Sequence, residues 1–299
     1  MNARSALALL AVAGVLSAGP ARSETAERSL TCDREAAEAL NPVQLELTTA
    51  AYSQAQRACW IGWIQAQDAV RAQGFQWVDV RDAGTRRQLL LPGVTAVDSA
   101  ELQDKAFLKG QSVILIGTGV DLHALSSQCA TLRASGSFKD IRVLVGGART
   151  WRQLGQPVQV TGNLMAPDEA SAQELWLGAA SDQWQIAAVG LSETEVAQLP
   201  AVPALVESSS NPSLAIQRFR ATATTPLPIH KQWLVITSSD EVLGRLRTLW
   251  QEQASAGSTP LPSQPVWLKG GWSAYASYLQ QQKSLAAHAG RSLPRLCGM

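Results

Sequence analysis

The chain runs twice through the same order of apolar segments, glycine turns and helix-like segments, and this internal repeat limits the possible folds more than any other feature. The segment VLVGGARTW at 143–151 aligns with VWLKGGWSAY at 266–275, and ILIGTGVDLHAL at 114–125 aligns with LVITSSDEVLGRL at 234–246. Alternating strands and helices predict a parallel sheet with helices on its faces in each copy. We therefore expect an α/β fold of two domains, each a parallel sheet flanked by helices.

The repeat also places the domain boundaries. Domain 1 is predicted over 45–155 and the more diverged domain 2 over 168–283. The proline- and glycine-containing segment 156–167 is typical of a linker, and residues 284–299 form a C-terminal tail.

Hydrophobic periodicity indicates the elements within these domains. The Ala- and Gln-rich segment 45–73 predicts one helix, and 168–179 predicts another. Apolar runs predict strands at 75–80, 112–116, 141–145, 184–189, 233–236 and 265–268.

The N-terminal segment predicts export. One positive charge precedes the apolar run at 5–19, and small residues follow at the two positions that a signal peptidase reads. We predict a signal peptide over 1–23 and an N-terminal extension over 24–44. An uncleaved membrane anchor is the alternative, but the run is shorter than the roughly 20 residues of a spanning helix. The mature chain is expected to have no membrane span and to be periplasmic or secreted.

Export makes disulfides possible. An even number of cysteines follows the predicted cleavage site, namely Cys32, Cys59, Cys129 and Cys297. Three complete pairings are possible, and sequence alone does not choose among them. Cys32 with Cys59 is the more local option, and Cys129 with Cys297 would tie the tail to domain 1. We expect at least one disulfide, and free buried thiols are the alternative for some of the four.

Composition argues against two classes of site. The 25 basic and 24 acidic residues leave a formal net charge of +1 without a basic stripe, so no nucleic-acid partner is expected. The sequence has three histidines and four cysteines, but no CxxC and no HExxH, so it lacks the usual zinc patterns. We expect no metal and no cofactor.

The first copy resembles a rhodanese domain. The resemblance depends on VDVR at 78–81, LPGV at 91–94, the apolar strand ending at Ile116 and a glycine pair followed by an aromatic residue. Tandem modules are common in this family. In the second copy Ala188 and Gly190 replace the Asp and Arg of the first strand. The resemblance implies structural roles, including an ion pair of the first two residues, for Asp79, Arg81, Gly146, Gly147, Trp151, Gly270, Gly271 and Tyr275.

The resemblance implies sulfur transfer through a Cys at the start of the loop between the central strand and the next helix. Loop amides and the helix N-terminus stabilise a thiolate or persulfide at such a place. The corresponding loops here are Gly117, Thr118, Gly119, Val120 and Asp121, and Thr237, Ser238, Ser239, Asp240 and Glu241. Neither contains Cys or Arg, and their acidic residues are expected to cap the helices and to compete with a bound anion. We expect an inactive protein that binds a periplasmic protein partner or a small ligand.

Two enzyme hypotheses remain beside this one. A sulfurtransferase or sulfur carrier would use Cys129 or Cys59. Periodicity predicts a helix over 121–134, and Cys129 lies about 12 Å from its start. A hydrolase would take its nucleophile from the hydroxyl-bearing residues at 237–239, for which spacing indicates no base. The segment 117–119 is either a small-ligand cradle or a plain turn.

Overall fold

A computed structural model describes residues 51–208, 211–255 and 264–288, which all lie in one compact unit. The first domain contains α1 (Gln54–Arg57), β1 (Trp60–Ile61), α2 (Trp63–Gln73), β2 (Gln76–Asp79), α3 (Ala83–Gln88), β3 (Leu89–Leu90), β4 (Thr95–Ala96), β5 (Ser112–Ile116), α4 (Leu122–Ala134), β6 (Asp140–Leu144) and α5 (Gly147–Gln153). The rest contains β7 (Gln159–Val160), β8 (Glu169–Ala170), α6 (Ala172–Ala180), β9 (Trp184–Val189), α7 (Glu193–Val196), β10 (Leu205–Glu207), α8 (Pro212–Ala223), β11 (Gln232–Thr237), α9 (Asp240–Ser255), β12 (Val266–Leu268) and α10 (Gly271–His288). The predicted signal peptide, the N-terminal extension, Cys32 and Cys297 lie outside these residues.

Each domain is built on a five-stranded sheet in which all pairings are parallel. The strand order is β1-β6-β5-β2-β4 in the first sheet and β8-β12-β11-β9-β10 in the second. Along the chain, domain 2 uses β8, β9, β10, β11 and β12 where domain 1 uses β1, β2, β4, β5 and β6. The order of the strands across the sheet is therefore the same in both domains. The predicted fold class, two α/β domains each with a parallel sheet flanked by helices, is confirmed. A small antiparallel ladder joins β3 to β7, which lies in the predicted linker.

The central strand of domain 1 is buried on both faces, as its unbroken apolar sequence predicts for a parallel sheet. Val113 and Leu115 pack against α4 on one face, whereas Ile114 and Ile116 pack against α2 and α5 on the other. This alternation follows from the two-residue period of a strand. The loop after Ile116 therefore begins at the carboxyl edge of a fully covered sheet.

Domain 2 has the same layers. Leu234 and Ile236 of β11 face α6 and α10, and Trp233 and Val235 face α8 and α9. Domain 1 has two short 3₁₀ turns where domain 2 has α8. The second copy thus keeps the architecture although its sequence has diverged further.

Two predicted helices are wrong in part. The helix predicted over 45–73 is interrupted by β1 within its described part, where the Cys59 carbonyl accepts a hydrogen bond from the Val143 amide at 2.8 Å. Cys59 therefore precedes an edge strand and does not lie on a helix. The segment predicted as a helix at 168–179 begins with β8, and α6 starts at Ala172. Pairing with the distant strands β6 and β12 supplies the hydrogen bonds that outweigh local helix propensity. The last helix continues to His288, into the segment assigned to the tail.

Candidate functional site

Asp79 and Arg81 form a buried ion pair at the carboxyl end of β2. Arg81 donates from Nε to Asp79 Oδ1 at 2.8 Å and from Nη2 to Asp79 Oδ2 at 2.6 Å, and Nη2 also donates to the Leu89 carbonyl at 2.7 Å. Each of the two residues is only 3% exposed. The buried charges thus have the several hydrogen bonds that such a pair needs, and they fix the end of β2 to β3.

The two glycine pairs adopt the same left-handed turn. The φ angles are +75° at Gly146, +48° at Gly147, +75° at Gly270 and +54° at Gly271. A Cβ on Gly147 would collide with the Gly117 carbonyl oxygen, and one on Gly271 would lie 2.6 Å from the Thr237 carbonyl oxygen. Glycine is therefore required for both conformation and close approach. The same contact identifies Gly117 and Thr237 as equivalent positions in the two domains.

The aligned aromatic residues are both buried. Trp151 donates from Nε1 to the Pro157 carbonyl at 3.1 Å, and its ring lies edge-on to those of Trp63 and Trp77. Tyr275 is fully buried, and burial raises the pKa of its hydroxyl. The structure places both in the cores that support the glycine turns.

The first loop is closed by its own carboxylate. The Thr118 amide donates to Asp121 Oδ2 at 2.9 Å, and the Gly119 amide donates to Asp121 Oδ1 at 3.2 Å. A Cβ on Gly117 would lie 2.5 Å from both carboxylate oxygens. Asp121 therefore occupies the space where a side chain at 117 would lie and takes up amides that an anion would need. The expected side-chain cap is wrong, since the carboxylate points back to the loop and accepts no capping bond from α4.

Domain 2 packs directly on this loop. Gln183 donates from Nε2 to the Gly119 carbonyl at 2.8 Å, and the Val120 side chain lies in the apolar core of domain 2. Nearby, the Tyr52 hydroxyl donates to the Ser181 carbonyl at 2.6 Å. Loop 117–121 is thus part of the interface between the domains.

The second loop is shorter and differently closed. The helix begins at Asp240, so only Ser238 and Ser239 separate it from β11. The Thr237 hydroxyl is fully buried and donates to the Ser239 carbonyl at 2.9 Å, and Ser239 Oγ accepts from the Val242 amide at 3.3 Å. The Ser238 amide donates to the Val189 carbonyl at 3.1 Å, and the burial of Thr237 keeps its hydroxyl away from solvent. No observation supports the hydrolase hypothesis.

The cysteine pairing differs from the local option considered from sequence. Cys59 and Cys129 are joined in a disulfide, and both are fully buried. The pairing of Cys32 with Cys59 and that of Cys129 with Cys297 are therefore wrong. The fold brings the end of α1 against α4, which places the two Cα atoms 6.2 Å apart despite a separation of 70 residues. The expected disulfide is present, and the structure supplies the connectivity that the sequence left open.

A cleft of about 370 Å³ lies beside the first loop, between the two domains. Domain 1 contributes the ends of its strands and α5, the segment 164–167 forms one wall, and α6 of domain 2 forms another. Its polar and charged residues include Arg81, Thr85, Thr118, Arg149, Arg152, Glu169 and Glu174.

Sequence reasoning missed this cleft, because half of its lining comes from the linker and from domain 2. The only local signal was the pair of arginines in GGARTWR at 146–152, directly after the glycine turn.

The part of the chain that the structure describes contains no group of three or more His, Cys, Asp or Glu side chains placed to hold a metal ion. Within the same residues, every helix is too short or too polar to cross a bilayer.

Comparison with solved structures found partial likenesses. A rhodanese-like domain from Anabaena sp. is 26% identical, with 29% of this chain and 99% of that chain covered and a TM-score of 0.25. A rhodanese-related protein from Thermoplasma volcanium is 19% identical, with 34% and 98% covered and a TM-score of 0.28. A Rhodopseudomonas palustris protein of unknown function, described as a possible tyrosine phosphatase, is 18% identical, with 39% and 100% covered and a TM-score of 0.29. No family model and no curated protein matched the chain.

Proposed function

We propose that this chain is an exported tandem rhodanese-like protein without sulfurtransferase activity, which acts by binding a small ligand or a protein partner. The observation that carries the proposal is the closure of the first loop by Asp121. A thiolate or persulfide needs free loop amides around it. Here two of those amides already hold a carboxylate of the same chain, and no Cys stands at 117 or 237.

The disulfide is a second observation that supports the absence of sulfurtransferase activity. The alternative function, a sulfurtransferase or sulfur carrier, would use Cys59 or Cys129. Both sulfurs are bonded to each other and buried, and only a free thiolate acts as a nucleophile. Sulfur transfer through either residue would therefore require prior reduction and opening of the core.

The disulfide also supports export. Structural disulfides persist in oxidising compartments and are rare in the cytosol. Together with the signal-peptide pattern at the N-terminus, this favours a periplasmic or secreted protein.

Thiosulfate:cyanide sulfur transfer tests the proposal. We expect the purified chain to produce thiocyanate at the background rate, both as isolated and after mild reduction. A Cys59→Ala/Cys129→Ala variant serves as the matched control, since it cannot form a persulfide at either residue. A rate well above that of this control would overturn the proposal and establish the sulfurtransferase alternative.

A further inference from the structure

We propose that the cleft between the domains binds a small organic anion, a monocarboxylate with an apolar body. This inference rests on the proposed binding function and names the ligand class and the place. Four features of the cleft support it: an unbalanced positive charge, an unpartnered buried donor, an apolar lining and its position at the strand ends.

Charge balance within the cleft leaves one cation without a counterion. Five charged side chains line it, three arginines and two glutamates. Arg81 pairs with Asp79 and Arg149 with Glu174, and Glu169 pairs with Arg247, which Asp168 outside the lining shares. The remaining one is Arg152, which donates from Nη2 to the Met165 carbonyl at 2.6 Å. No carboxylate of the described residues lies within ion-pairing distance of it. The lining therefore carries a net charge of about +1, which favours a ligand of charge −1.

A second cation of the cleft has an unused donor. Arg149 is 6% exposed, and its guanidinium bonds to Glu174 and, from Nη1, to the Glu169 carbonyl at 2.6 Å. Its Nε has no hydrogen-bond partner among the described residues. A buried donor without an acceptor is unfavourable. Burial, and then the neighbouring Arg149 charge, lower the pKa of Arg152, and the Glu174 charge only partly offsets them. A negative charge beside Arg152 would offset the burial and the repulsion that disfavour its charged form.

The apolar lining selects against a bare inorganic anion. Besides the charged groups, Leu89, Val120, Leu164, Met165 and Leu177 line the cleft. Its volume of about 370 Å³ is at the small end of ligand pockets. A space of this size with several aliphatic walls and one cationic side suits a carboxylate attached to a small hydrocarbon body.

The cleft also lies where open α/β sheets commonly bind ligands. Arg81 follows the carboxyl end of β2, Thr118 follows that of β5, and Arg149 lies in the helix after β6. Ligands of such sheets bind outside the carboxyl ends of the strands. The cradle of the first loop is filled by Asp121, whereas the neighbouring cleft at this edge is open.

Isothermal titration of the purified chain with benzoate tests the inference, and benzamide serves as the neutral probe of the same shape. We expect saturable binding of benzoate, at least tenfold weaker binding of benzamide, and at least tenfold weaker benzoate binding by Arg152→Gln. Arg245→Gln is the matched control, because Arg245 is exposed on α9 outside the cleft.

A second pair of variants leaves Arg152 unchanged, so that misfolding of an Arg152 variant cannot explain a loss of benzoate binding. Leu177 is 41% exposed at the cleft, so Leu177→Glu and Leu177→Gln should both fold. We expect the glutamate to abolish benzoate binding and the glutamine to change it less than threefold. The inference is overturned if benzoate does not bind, if Arg152→Gln and Leu177→Glu bind it as wild type does, or if sulfate binds as tightly. The sulfur-transfer assay on the same preparation separates the two proposals: activity overturns the proposed function, whereas absent benzoate binding without activity overturns only this inference.

Discussion

Gly117→Ala tests whether the Asp121 carboxylate fills the space in which a side chain at 117 would lie. The new Cβ would be 2.5 Å from both carboxylate oxygens, which is too close for any heavy-atom contact without a bond. The carboxylate must therefore move away and lose the amide hydrogen bonds at 2.9 and 3.2 Å. Overpacking costs about 1–3 kcal/mol, and a hydrogen bond to a charged group is worth about 1.5–3 kcal/mol. We expect the free energy of unfolding to fall by about 3 kcal/mol.

A double-mutant cycle isolates the cause. Asp121→Ala alone removes the two hydrogen bonds and should cost about 2–3 kcal/mol. In that background the nearest atom that Gly117→Ala meets is Leu125 Cδ1, the end of a buried side chain, so the added cost should be about 1 kcal/mol. The coupling between the two sites should then be about 2 kcal/mol, within the range for contacting residues.

Urea denaturation followed by tryptophan fluorescence measures these values. Gly244→Ala is the matched control, since no atom lies within 4 Å of the added methyl. Because Gly244 lies inside α9, this control should raise stability by about 0.5–1 kcal/mol. Equal costs of Gly117→Ala with and without Asp121 would refute the reasoning, because the carboxylate would not be what opposes the side chain.

Three further predictions concern stability. Reduction of the disulfide between Cys59 and Cys129, or its replacement by two alanines, should lower the free energy of unfolding by up to about 4 kcal/mol, because the disulfide closes a loop of 70 residues. Urea midpoints measured with and without dithiothreitol test this. An unchanged midpoint would contradict it. Burial lowers the pKa of His230 below its usual 6.5, so the unfolded chain binds the proton more readily than the folded chain. The free energy of unfolding should therefore fall as the pH drops below about 6.5. Thermal melts from pH 5 to 8 should show that His230→Gln loses this dependence of stability on pH. Arg81→Met would leave Asp79 charged and buried, and should cost about 3–5 kcal/mol by urea denaturation, whereas a loss under 1 kcal/mol would show that the pair is dispensable.

The central strands could be predicted because each is marked by a run of apolar residues that are adjacent in the sequence. The first half of the repeat has five consecutive residues at 112–116 that are all buried, and the apolar run at 233–236 falls within β11. Continuous burial on both faces requires such runs in a parallel sheet. The glycine pairs are also local signals, since their positive φ angles suit few other residues.

The edge strands could not be predicted, because their hydrogen bonds come from far along the chain. β1 pairs with β6, and β8 pairs with β12. Each is two residues long and adjoins a helix, so a window of local composition indicates helix throughout. The disulfide connectivity stayed open for the same reason: the contact between Cys59 and Cys129 depends on how α1 packs against α4.

The site could be located from sequence only in part. Both loops were found, because each follows a predicted central strand. The direction of the Asp121 side chain was not found, since an acidic residue before a helix normally caps it. Its carboxylate instead accepts hydrogen bonds from two amides of the loop before the helix. The cleft was missed because Arg152 and Leu177 belong to different domains, and no spacing in one segment indicates that they share a cavity.

The two loops lose the open cradle by different physical means. Domain 1 keeps a loop of five residues but fills it with Asp121, whereas domain 2 begins its helix after two residues. Both domains nevertheless keep the second glycine against the loop carbonyl, because that contact holds the sheet to the following helix and does not depend on a reactive side chain. In domain 1 the closed loop has a structural role, since Gly119 and Val120 contact domain 2. A change that opens this loop to an anion would therefore also remove packing between the domains, so recovery of an anion cradle and loss of stability should occur together.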